Sequence, residues 1–521
     1  MSENRTTTDS HTAGHLPEKA QSIVAEIEHY RTLDAPTHGG KVLSYVYDTG
    51  LTELDELAAQ AARTVQSING LDPTAFPSVA IMERDLLGFV RAALNGSDDV
   101  FGNVTTGGTE SCLLAVKTAR DLWRADQGPR GRHAVGTIVA PMTVHAAIHK
   151  AAQYFDLELI TVPVDPHTGT VDPAHIIAKL DQNTALVVLS APNYPYGAID
   201  PIEEVAQETL ARGISLHVDA CIGGLALPWW PQQSRTWDFR IEGVTSISAD
   251  LHKYGYAPKG VSVLLQRGAH RHRTQYFAAI GWPGYPVVNP TLLGSKSAAP
   301  IASAWATLKY LENDGFNDLI HSTAQVSAEL IEGIKHIEGI TVYGKPDGPL
   351  FALVADPNVP SNLQVDPHRL ADALKNLGWS IQSQPGLQQS DGTVLPQTAH
   401  LTLTPVLKGK TAELLNALEL AAHQVRGMAS YLQDPEVLGA VAAIESMLEQ
   451  AAADSTIDPS QPLPVHAVDL ILRNLGVDAQ NGELPQNLSA LLAVAQLLPA
   501  PVSQRLLTEI LALVVTPSQN P

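Results

Sequence analysis

The sequence predicts an α/β protein with a large, mostly parallel sheet, a smaller α+β domain and a helical C-terminal stretch. Three observations support this prediction. Short apolar runs alternate with segments of helical periodicity between residues 109 and 265, which is the pattern of parallel strands joined by crossover helices. The run 185–190 is almost continuously apolar, as expected of a strand covered on both faces. The helix predicted at 201–212 begins with proline and is followed by Gly213, the usual order at helix ends.

The order of the predicted elements divides the chain into four parts. They are an N-terminal segment at 1–95, a large α/β domain at 96–295, a small α+β domain at 296–432 and a helical extension at 433–521. Residues 1–15 are predicted to be disordered because they are polar and lack periodic apolar positions. The helices predicted for the first part are 16–33, 51–68 and 80–94.

Helices and strands alternate through the large domain. The predicted helices are 109–123, 144–155, 173–180 and 201–212, and the predicted strands are 137–140, 157–164, 185–190, 214–218, 245–248 and 261–265. In the small domain the predicted helices are 301–313, 319–337, 367–377 and 412–432, and the predicted strands are 340–343, 350–354, 379–383 and 400–403. Residues 433–521 have only helical periodicity.

Composition and charge exclude several classes of function. A formal net charge of -21 argues against nonspecific binding to nucleic acid or to an anionic membrane surface. The two cysteines, Cys112 and Cys221, make no disulfide framework, which predicts a reducing, cytoplasmic location. The polar N-terminus lacks the apolar core of a signal peptide, and no run of about 18 apolar residues predicts a transmembrane helix.

Two polar residues follow predicted strands, where an open α/β sheet binds its ligands. Asp219 ends the apolar run 214–218, and Lys253 follows His252 after the strand 245–248. A lysine that forms a Schiff base and a carboxylate that keeps a pyridine nitrogen protonated are what pyridoxal phosphate (PLP) requires. Each residue taken alone has a simpler explanation, a helix cap for Asp219 and a solvated surface charge for Lys253.

A glycine turn and a histidine complete the set. Gly107, Gly108 and Thr109 precede a helix, where free N–H groups and the helix dipole favour a phosphate, although a plain helix cap is an alternative. His145 is predicted early in the helix after strand 137–140 and has the shape to stack on a flat ring; its alternative is a partly buried helix histidine. The four features occur in order across successive strand–helix units, and together they favour a PLP site. We expect no metal site.

Three segments resemble the sphingosine-1-phosphate lyase branch of the group II PLP-dependent decarboxylase family. They are residues 107–111, 217–224 and 246–260, and the resemblance runs from about residue 40 to about residue 430. It implies the PLP-dependent transferase fold of type I, which is aspartate aminotransferase-like. It also implies a homodimer with shared active sites, for which residues 1–95 supply interface helices. The helical extension has no counterpart in the resemblance.

The resemblance implies a role for each residue of the cofactor site. Lys253 is the Schiff-base lysine, Asp219 pairs with the pyridinium nitrogen, and His145 stacks on the ring, so these three are the predicted catalytic residues. The other residues implied to bind the cofactor are Gly107, Gly108, Thr109, Ala220, Ser248 and His252.

A second group of residues is implied to contact the substrate. Tyr47 and Lys259 line the substrate pocket in the resemblance, and Asn69 and Ser295, together with Tyr47, reach the neighbouring subunit's cofactor. Lyases of this branch usually carry histidine where this chain has Asp72. A carboxylate repels an anionic group, so Asp72 argues against a phosphorylated sphingoid base as the substrate. The usual Gly-Ser-Arg triplet ends here in Lys296, which retains a positive charge.

Three hypotheses of function follow. The first is a PLP-dependent carbon–carbon lyase, in which the substrate amine displaces Lys253 from the Schiff base and an aldehyde is released. The second is a PLP-dependent amino-acid decarboxylase, which Asp72 favours. The third is a binding or scaffold protein with a vestigial PLP site and a working helical extension, which the retained Lys253, Asp219 and His145 disfavour. In the first two hypotheses the partner is a small-molecule amine or amino acid.

Overall fold

The computed structural model describes residues 16–232, 235–453, 488–515 and 517. The disorder predicted for residues 1–15, and the predicted helical character of 454–487, lie outside the described residues. Among the helices that the structure does describe, none has the length and apolar character needed to cross a bilayer.

Three helices precede the sheet: α1 (Glu18–Arg31), α2 (Thr52–Thr64) and α3 (Pro77–Ala93). Helices α2 and α3 pack on the long helix that follows the large domain. Helix α1 buries none of its side chains against the described part of the chain, and its apolar residues Ile23, Ile27 and Tyr30 are exposed. A stripe at this spacing is the apolar face of an amphipathic helix.

The large domain has a seven-stranded sheet that is mostly parallel, which confirms the predicted fold class. Its order is β1-β7-β6-β5-β4-β2-β3, with β7 antiparallel to both β1 and β6 and all other pairs parallel. All seven residues of the central strand β4 are buried, as expected between two helical layers. The strands are β1 (Val100–Thr105), β2 (Thr137–Pro141), β3 (Glu158–Val162), β4 (Thr184–Ser190), β5 (Ser215–Asp219), β6 (Ser246–Ala249) and β7 (Ser262–Arg267).

Helices cover both faces of this sheet: α4 (Gly108–Asp126), α5 (Ala146–Phe155), α6 (Pro173–Ile177), α7 (Ile202–Arg212) and α8 (Ala269–Thr274). The sequence prediction placed His145 inside a helix, but the structure places it at the N-cap of α5, where its Nδ1 accepts a hydrogen bond from the Ala147 N–H group at 3.2 Å. A ring at an N-cap projects beyond the helix end, and His145 is exposed there.

A small hairpin and a long helix connect the two domains. The hairpin strands β8 (Phe277–Ala279) and β9 (Val287–Asn289) flank a loop that exposes large apolar side chains. Helix α9 (Ala299–Ile334) replaces the two helices predicted at 301–313 and 319–337. It bends at Glu312, which has φ 49° and ψ -162°, so the pause in the sequence pattern marks a kink and not a loop.

The small domain has a four-stranded antiparallel sheet, in the order β10-β11-β15-β12, with its own apolar core. Its strands are β10 (Ile340–Val342), β11 (Leu350–Ala355), β12 (Gln382–Gln384) and β15 (Thr398–Thr402), and a hairpin of β13 (Leu387–Gln388) and β14 (Val394–Leu395) lies between the last two. Helices α10 (Pro367–Asn376) and α11 (Thr411–Val425) pack beside it, and α11 ends before the predicted boundary at 432.

The described part of the extension consists of α12 (Pro435–Ala453), α13 (Leu488–Leu497) and α14 (Ala500–Val514). Apolar residues of these helices form a separate small core. The extension is also held to the small domain by polar contacts, because the Ser489 hydroxyl donates to Asp372 Oδ1 at 2.9 Å and lies 3.0 Å from the Ser383 hydroxyl.

Candidate active site

A cavity of about 370 Å³ lies at the carboxyl ends of β4 and β5 and at the first turn of α4. We call it the main cavity. It is lined by every residue predicted to bind the cofactor except Ala220 and Ser248, namely Gly107, Gly108, Thr109, His145, Asp219, His252 and Lys253. The topology explains this grouping, since the ends of neighbouring parallel strands meet at one edge of the sheet.

Lys253 is paired with a carboxylate that the sequence reasoning missed. Its Nζ lies 3.0 Å from Asp250 Oδ2, and Asp250 is only 2% exposed. Burial alone would lower the pKa of Lys253, but Asp250 and the nearby Tyr47 raise it well above the ordinary lysine value. In the cofactor-free protein, Lys253 is therefore an ammonium held by Asp250.

Asp250 also has an unused oxygen. Its Oδ1 is buried and finds no hydrogen-bond partner among the described residues. A buried acceptor without a hydrogen bond costs roughly 1–3 kcal/mol of folding free energy. Such an atom is expected where a bound ligand supplies the missing hydrogen bond. The carboxylate lies directly against the glycine turn, because a Cβ added to Gly108 would come within 2.7 Å of Asp250 Oδ2. Position 108 therefore requires glycine, because any larger residue would collide with the Asp250 carboxylate.

Asp219 is a buried carboxylate that remains charged. Burial would raise its pKa, but His145, His217 and Lys253 outweigh burial and hold the pKa of Asp219 below its usual range. Its Oδ1 accepts hydrogen bonds from the Cys221 N–H group at 3.1 Å and from the Ser248 hydroxyl at 3.4 Å. A fixed negative charge in this position can pair with a protonated pyridine nitrogen.

The structure places two predicted cofactor residues behind the main cavity. Ser248, proposed from the resemblance as a phosphate ligand, is fully buried behind Asp219, with its hydroxyl 3.2 Å from His217 Nε2. In this position Ser248 supports Asp219, and its role as a phosphate ligand stays a prediction. Ala220 is also fully buried and packs within the apolar core of the sheet.

The phosphate turn is the N-terminus of α4. Gly107 is its N-cap, and among the described side chains none caps the first turn, so the N–H groups there are free for an anion. The Glu110 carboxylate, which is 5% exposed, accepts from the Thr106 N–H group and hydroxyl, each at 2.6 Å. Its other oxygen accepts from the Leu292 N–H group at 2.6 Å, so Glu110 links the turn to the loop that carries Ser295.

Aromatic residues line one side of the main cavity. The ring of His145 lies 6.4 Å from that of Tyr194 in an edge-on arrangement, and Tyr194 stacks on His400 at 4.3 Å. The Tyr194 hydroxyl donates to Gln382 at 2.6 Å. Tyr194 therefore joins the large domain to β12 of the small domain, a contact that the sequence pattern could not reveal.

Tyr47 and Lys259 line a neighbouring cavity of about 400 Å³, which shares His252 with the main cavity. The Lys259 Nζ lies 4.4 Å from the centre of the Tyr47 ring and donates to the His252 carbonyl at 3.0 Å. Burial and the positive charge of Lys253 lower the pKa of Lys259 to about 8. Burial also raises the pKa of Tyr47 to about 12, so its phenol stays protonated.

The remaining predicted substrate residues lie together, but they do not line the main cavity of their own chain. The Asn69 side chain donates to the Ser295 hydroxyl at 3.1 Å and accepts from the Lys296 N–H group at 3.2 Å. Asp72 is exposed, and its Oδ1 accepts from the Thr74 N–H group at 2.8 Å and from the Thr74 hydroxyl at 2.6 Å. These hydrogen bonds lower the pKa of Asp72 and make it a turn cap.

The described residues fit PLP at three points. The free first turn of α4 suits the phosphate, the charged Asp219 suits the pyridinium nitrogen, and Lys253 faces the same cavity. The cavity volume falls within the range of about 300–1,000 Å³ for small-molecule sites. Lys253, Asp219, His145 and the α4 turn would hold the cofactor, and the orphaned oxygen of Asp250 adds a polar group at the same place.

We expect Asp250→Asn to change the pH at which PLP attaches. Schiff-base formation needs a neutral amine, and Asp250 is the main group that raises the pKa of Lys253 against the effect of burial. The pH at which the visible PLP–lysine band forms at half its maximal rate should therefore fall by more than about one unit. A shift of one unit in the pKa of Lys253 corresponds to an interaction free energy of only about 1.4 kcal/mol.

Asp238→Asn is the matched control for this substitution, because Asp238 is also 2% exposed and also forms an ion pair, with Arg240. While Asp250 is ionised, the ion pair at Lys253 stabilises the cofactor-free fold fully below the ordinary lysine pKa of about 10.4, and this stabilisation is lost as the pH rises through the raised pKa of Lys253. Both variants should therefore melt at lower temperature at neutral pH, but only Asp250→Asn should shift the attachment profile. An unshifted profile would contradict the role of Asp250.

The chain is similar in sequence to known proteins of one family. Residues 7–351 match the sequence profile of the pyridoxal-dependent decarboxylase conserved domain. The sphingosine-1-phosphate lyase of Dictyostelium discoideum is 35% identical over 382 residues, which cover 73% of this chain and 68% of the relative. That of Drosophila melanogaster is 34% identical over 443 residues, 82% of this chain and 78% of the relative. These matches confirm the resemblance drawn from residues 107–111, 217–224 and 246–260.

Solved structures of other proteins have a similar fold. The sphingosine-1-phosphate lyase of Burkholderia pseudomallei aligns with a TM-score of 0.71 at 30% identity and covers 80% of this chain and 94% of its own. The glutamate decarboxylase of Lactobacillus brevis aligns with a TM-score of 0.68 at 20% identity, covering 80% of this chain and 95% of its own. The second likeness shows the shared fold of type I alone.

Proposed function

Because this chain belongs to the pyridoxal-dependent decarboxylase family, we propose that it is a PLP-dependent carbon–carbon lyase that splits a β-hydroxy amine bearing an anionic group and releases an aldehyde. The observation that carries the proposal is the position of Lys259, a cation whose Nζ donates to the His252 carbonyl beside the cavity that holds Lys253 and Asp219. The curated relatives described above are lyases of a phosphorylated amino alcohol by name.

The side chains of the main cavity have distinct tasks in this proposal. Bound PLP supplies an aldehyde for the substrate amine and an electron sink for the bond that breaks. Asp219 keeps a negative charge at the pyridine end of the site, and His145 covers a ring face from the α5 N-cap. Lys253 Nζ, once free, holds or moves a proton at the substrate carbon, with Asp250 as its immediate partner.

Within its own chain, Asp72 brings no negative charge to the lining of the main cavity. Its carboxylate is exposed and engaged by Thr74, and it does not line the main cavity of its own chain. Lys259 has a pKa of about 8 and is therefore charged at neutral pH. We propose that Lys259 attracts the anionic group of the substrate across the boundary that the two cavities share at His252.

The proposed reaction can be tested with a panel of amino acids and phosphorylated β-hydroxy amines. The PLP-loaded protein should release one aldehyde for each phosphorylated β-hydroxy amine consumed, without carbon dioxide. Carbon dioxide without aldehyde would replace this proposal with the decarboxylase hypothesis. A protein that consumes neither class of substrate but holds PLP would contradict both.

Substrate affinity should depend on pH through Lys259. The KM for the phosphorylated substrate should be flat between about pH 7 and pH 8, where the substrate phosphate is already doubly ionised, and should rise above pH 8 because Lys259 loses its charge there. Lys259→Gln should raise KM at pH 7 by roughly 10–100-fold, the equivalent of a charge-assisted hydrogen bond of about 1.5–3 kcal/mol. The variant should also show no rise in KM between pH 7 and pH 9, and a rise identical to that of the native protein would exclude Lys259 as the cation.

We further propose a homodimer with shared active sites. The loop and hairpin at 277–293 expose Ile280 by 84%, Tyr285 by 60% and Phe277 by 61% in the single chain, and apolar patches of this kind mark interaction surfaces. Asn69 and Ser295 lie together near this surface without lining the main cavity of their own chain. In a dimer, Asn69 and Ser295 would contact the cofactor bound by the partner subunit.

Sedimentation of the native protein should show a dimer. Ile280→Asp should weaken the dimer because it places a charge within an apolar surface. Tyr154→Asp is the matched control, since Tyr154 is 62% exposed on α5, away from this hairpin in the chain. A monomeric native protein, or an equal effect of both substitutions, would contradict the proposed surface.

We also propose that the protein is cytoplasmic. The two cysteines are buried free thiols in the structure, and a protein with reduced thiols and no disulfide framework suits a reducing compartment. A fluorescent fusion that distributes with cytoplasmic markers is the expected result, and localisation to another compartment would contradict it.

A further inference from the structure

The only two cysteines of this chain meet at the main cavity. Cys112 lies in the first turns of α4, and Cys221 follows Asp219 after β5. They are 1% and 8% exposed, and both line the main cavity beside Asp219. Neither thiol has a task in the proposed reaction, so their position calls for a separate explanation.

The three side chains have the geometry of a metal-binding cluster. The sulfur atoms of Cys112 and Cys221 and a carboxylate oxygen of Asp219 all lie within 4.8 Å of one another. Ser248 backs the cluster from the sheet side, where its hydroxyl lies 3.2 Å from the Cys221 sulfur and 3.4 Å from Asp219 Oδ1. The donors therefore share one small space that opens to the cavity.

We propose that the cofactor-free protein binds one thiophilic divalent metal ion, such as Zn²⁺, through Cys112, Cys221 and Asp219, and that this ion and PLP exclude each other. Zinc accepts thiolate sulfur and carboxylate oxygen as ligands, and soft sulfur ligands select zinc over magnesium or calcium. The exclusion rests on the proposed function, in which Asp219 pairs with the cofactor.

Binding of the ion displaces two thiol protons. The hydrogen bond with Cys221 lowers the pKa of the Cys112 thiol, but burial and the carboxylates of Asp219 and Asp250 outweigh it and raise that pKa. The pKa of Cys221 is raised well above its ordinary value by its contact with Cys112, by burial and by the same carboxylates. A metal ion must deprotonate its sulfur ligands, so proton release accompanies binding.

The test is a titration of the full-length, cofactor-free protein with Cd²⁺, a thiophilic ion whose bonds to thiolate absorb in the ultraviolet. We expect one Cd²⁺ per chain. Cys112→Ala and Cys221→Ala should each weaken binding by more than about 100-fold, because loss of even an outer partner of a metal ligand costs roughly 10–100-fold. Asp219→Asn should also weaken it, whereas Asp98→Asn, which alters a fully exposed carboxylate, should not.

The two alanine variants should still form the visible PLP band, which shows that they fold. Equal Cd²⁺ affinity in the native protein and either cysteine variant would overturn the metal site. PLP-loaded native protein should show no thiolate absorption on adding Cd²⁺. Cysteine-dependent binding that persists in the loaded protein would keep the metal site but overturn the exclusion. None of these readings depends on turnover, so they are distinguishable from a failure of the proposed reaction.

Discussion

Lys253→Ala should abolish the visible absorption band of the PLP-loaded protein and lower lyase activity by more than about 10⁴-fold. The Lys253 amine is the group in the main cavity that can form the Schiff base, and it lies 3.0 Å from Asp250. Loss of general acid–base transfer alone costs roughly 10²–10⁴-fold, and the variant also loses the covalent bond to the cofactor. Absorbance after gel filtration and aldehyde release measure the two effects.

Lys259→Ala is the matched control for this result. Lys259 is the lysine of the neighbouring cavity; its side chain is exposed, and its Nζ donates to the His252 carbonyl. The control should keep the band at full intensity. If Lys253→Ala kept the band and Lys259→Ala lost it, the assignment of the cofactor lysine would be reversed.

Asp219→Asn should lower the turnover number by roughly 10²–10³-fold while leaving PLP attached. This range is the usual cost of removing one preorganised electrostatic partner from an active site. His145, His217 and Lys253 keep Asp219 charged despite its burial, and asparagine has nearly the same shape without the charge. The visible band measures attachment, and aldehyde release measures turnover.

Asp200→Asn separates loss of charge from loss of a buried carboxyl group. Asp200 is also fully buried, and its Oδ2 accepts from the Ser190 N–H group at 2.7 Å, at the end of β4. Burial raises its pKa to about 7, so about half of the group is protonated at neutrality and most of it below neutrality. Asparagine should therefore be tolerated there. Equal losses of turnover in the two variants would show that the negative charge of Asp219 is not what matters.

The central sheet could be predicted because its strands are short apolar runs separated by helical periodicity. The first strand could not, since β1 (Val100–Thr105) contains Gly102 and Asn103, residues that are poor in strands. It forms because β7 pairs with all six of its residues. The break between the helices predicted at 301–313 and 319–337 differs from the structure for a related reason, because only packing shows that α9 continues beyond its kink at Glu312.

Candidate site residues could be predicted where they directly follow a strand, because the position after a strand determines their place at the edge of the sheet. Asp219 and Lys253 follow strands, and strand ends share one edge of the sheet. The partners of these residues could not be predicted. Asp250 precedes Lys253 by three residues, yet only the geometry of the turn shows that the two side chains meet at 3.0 Å. The contact of the Ser248 hydroxyl with Asp219 could not be predicted either, because it depends on which face of β6 the side chain takes.

The carboxylate of Glu110 couples two parts of the molecule thermodynamically. One oxygen holds Thr106 in the phosphate turn, and the other holds Leu292 in the loop before Ser295. An anion that orders the turn therefore also orders the loop. Part of the free energy of anion binding is then used to order the loop around Leu292, outside the main cavity. By linkage, any contact that orders the loop must strengthen anion binding by the same factor.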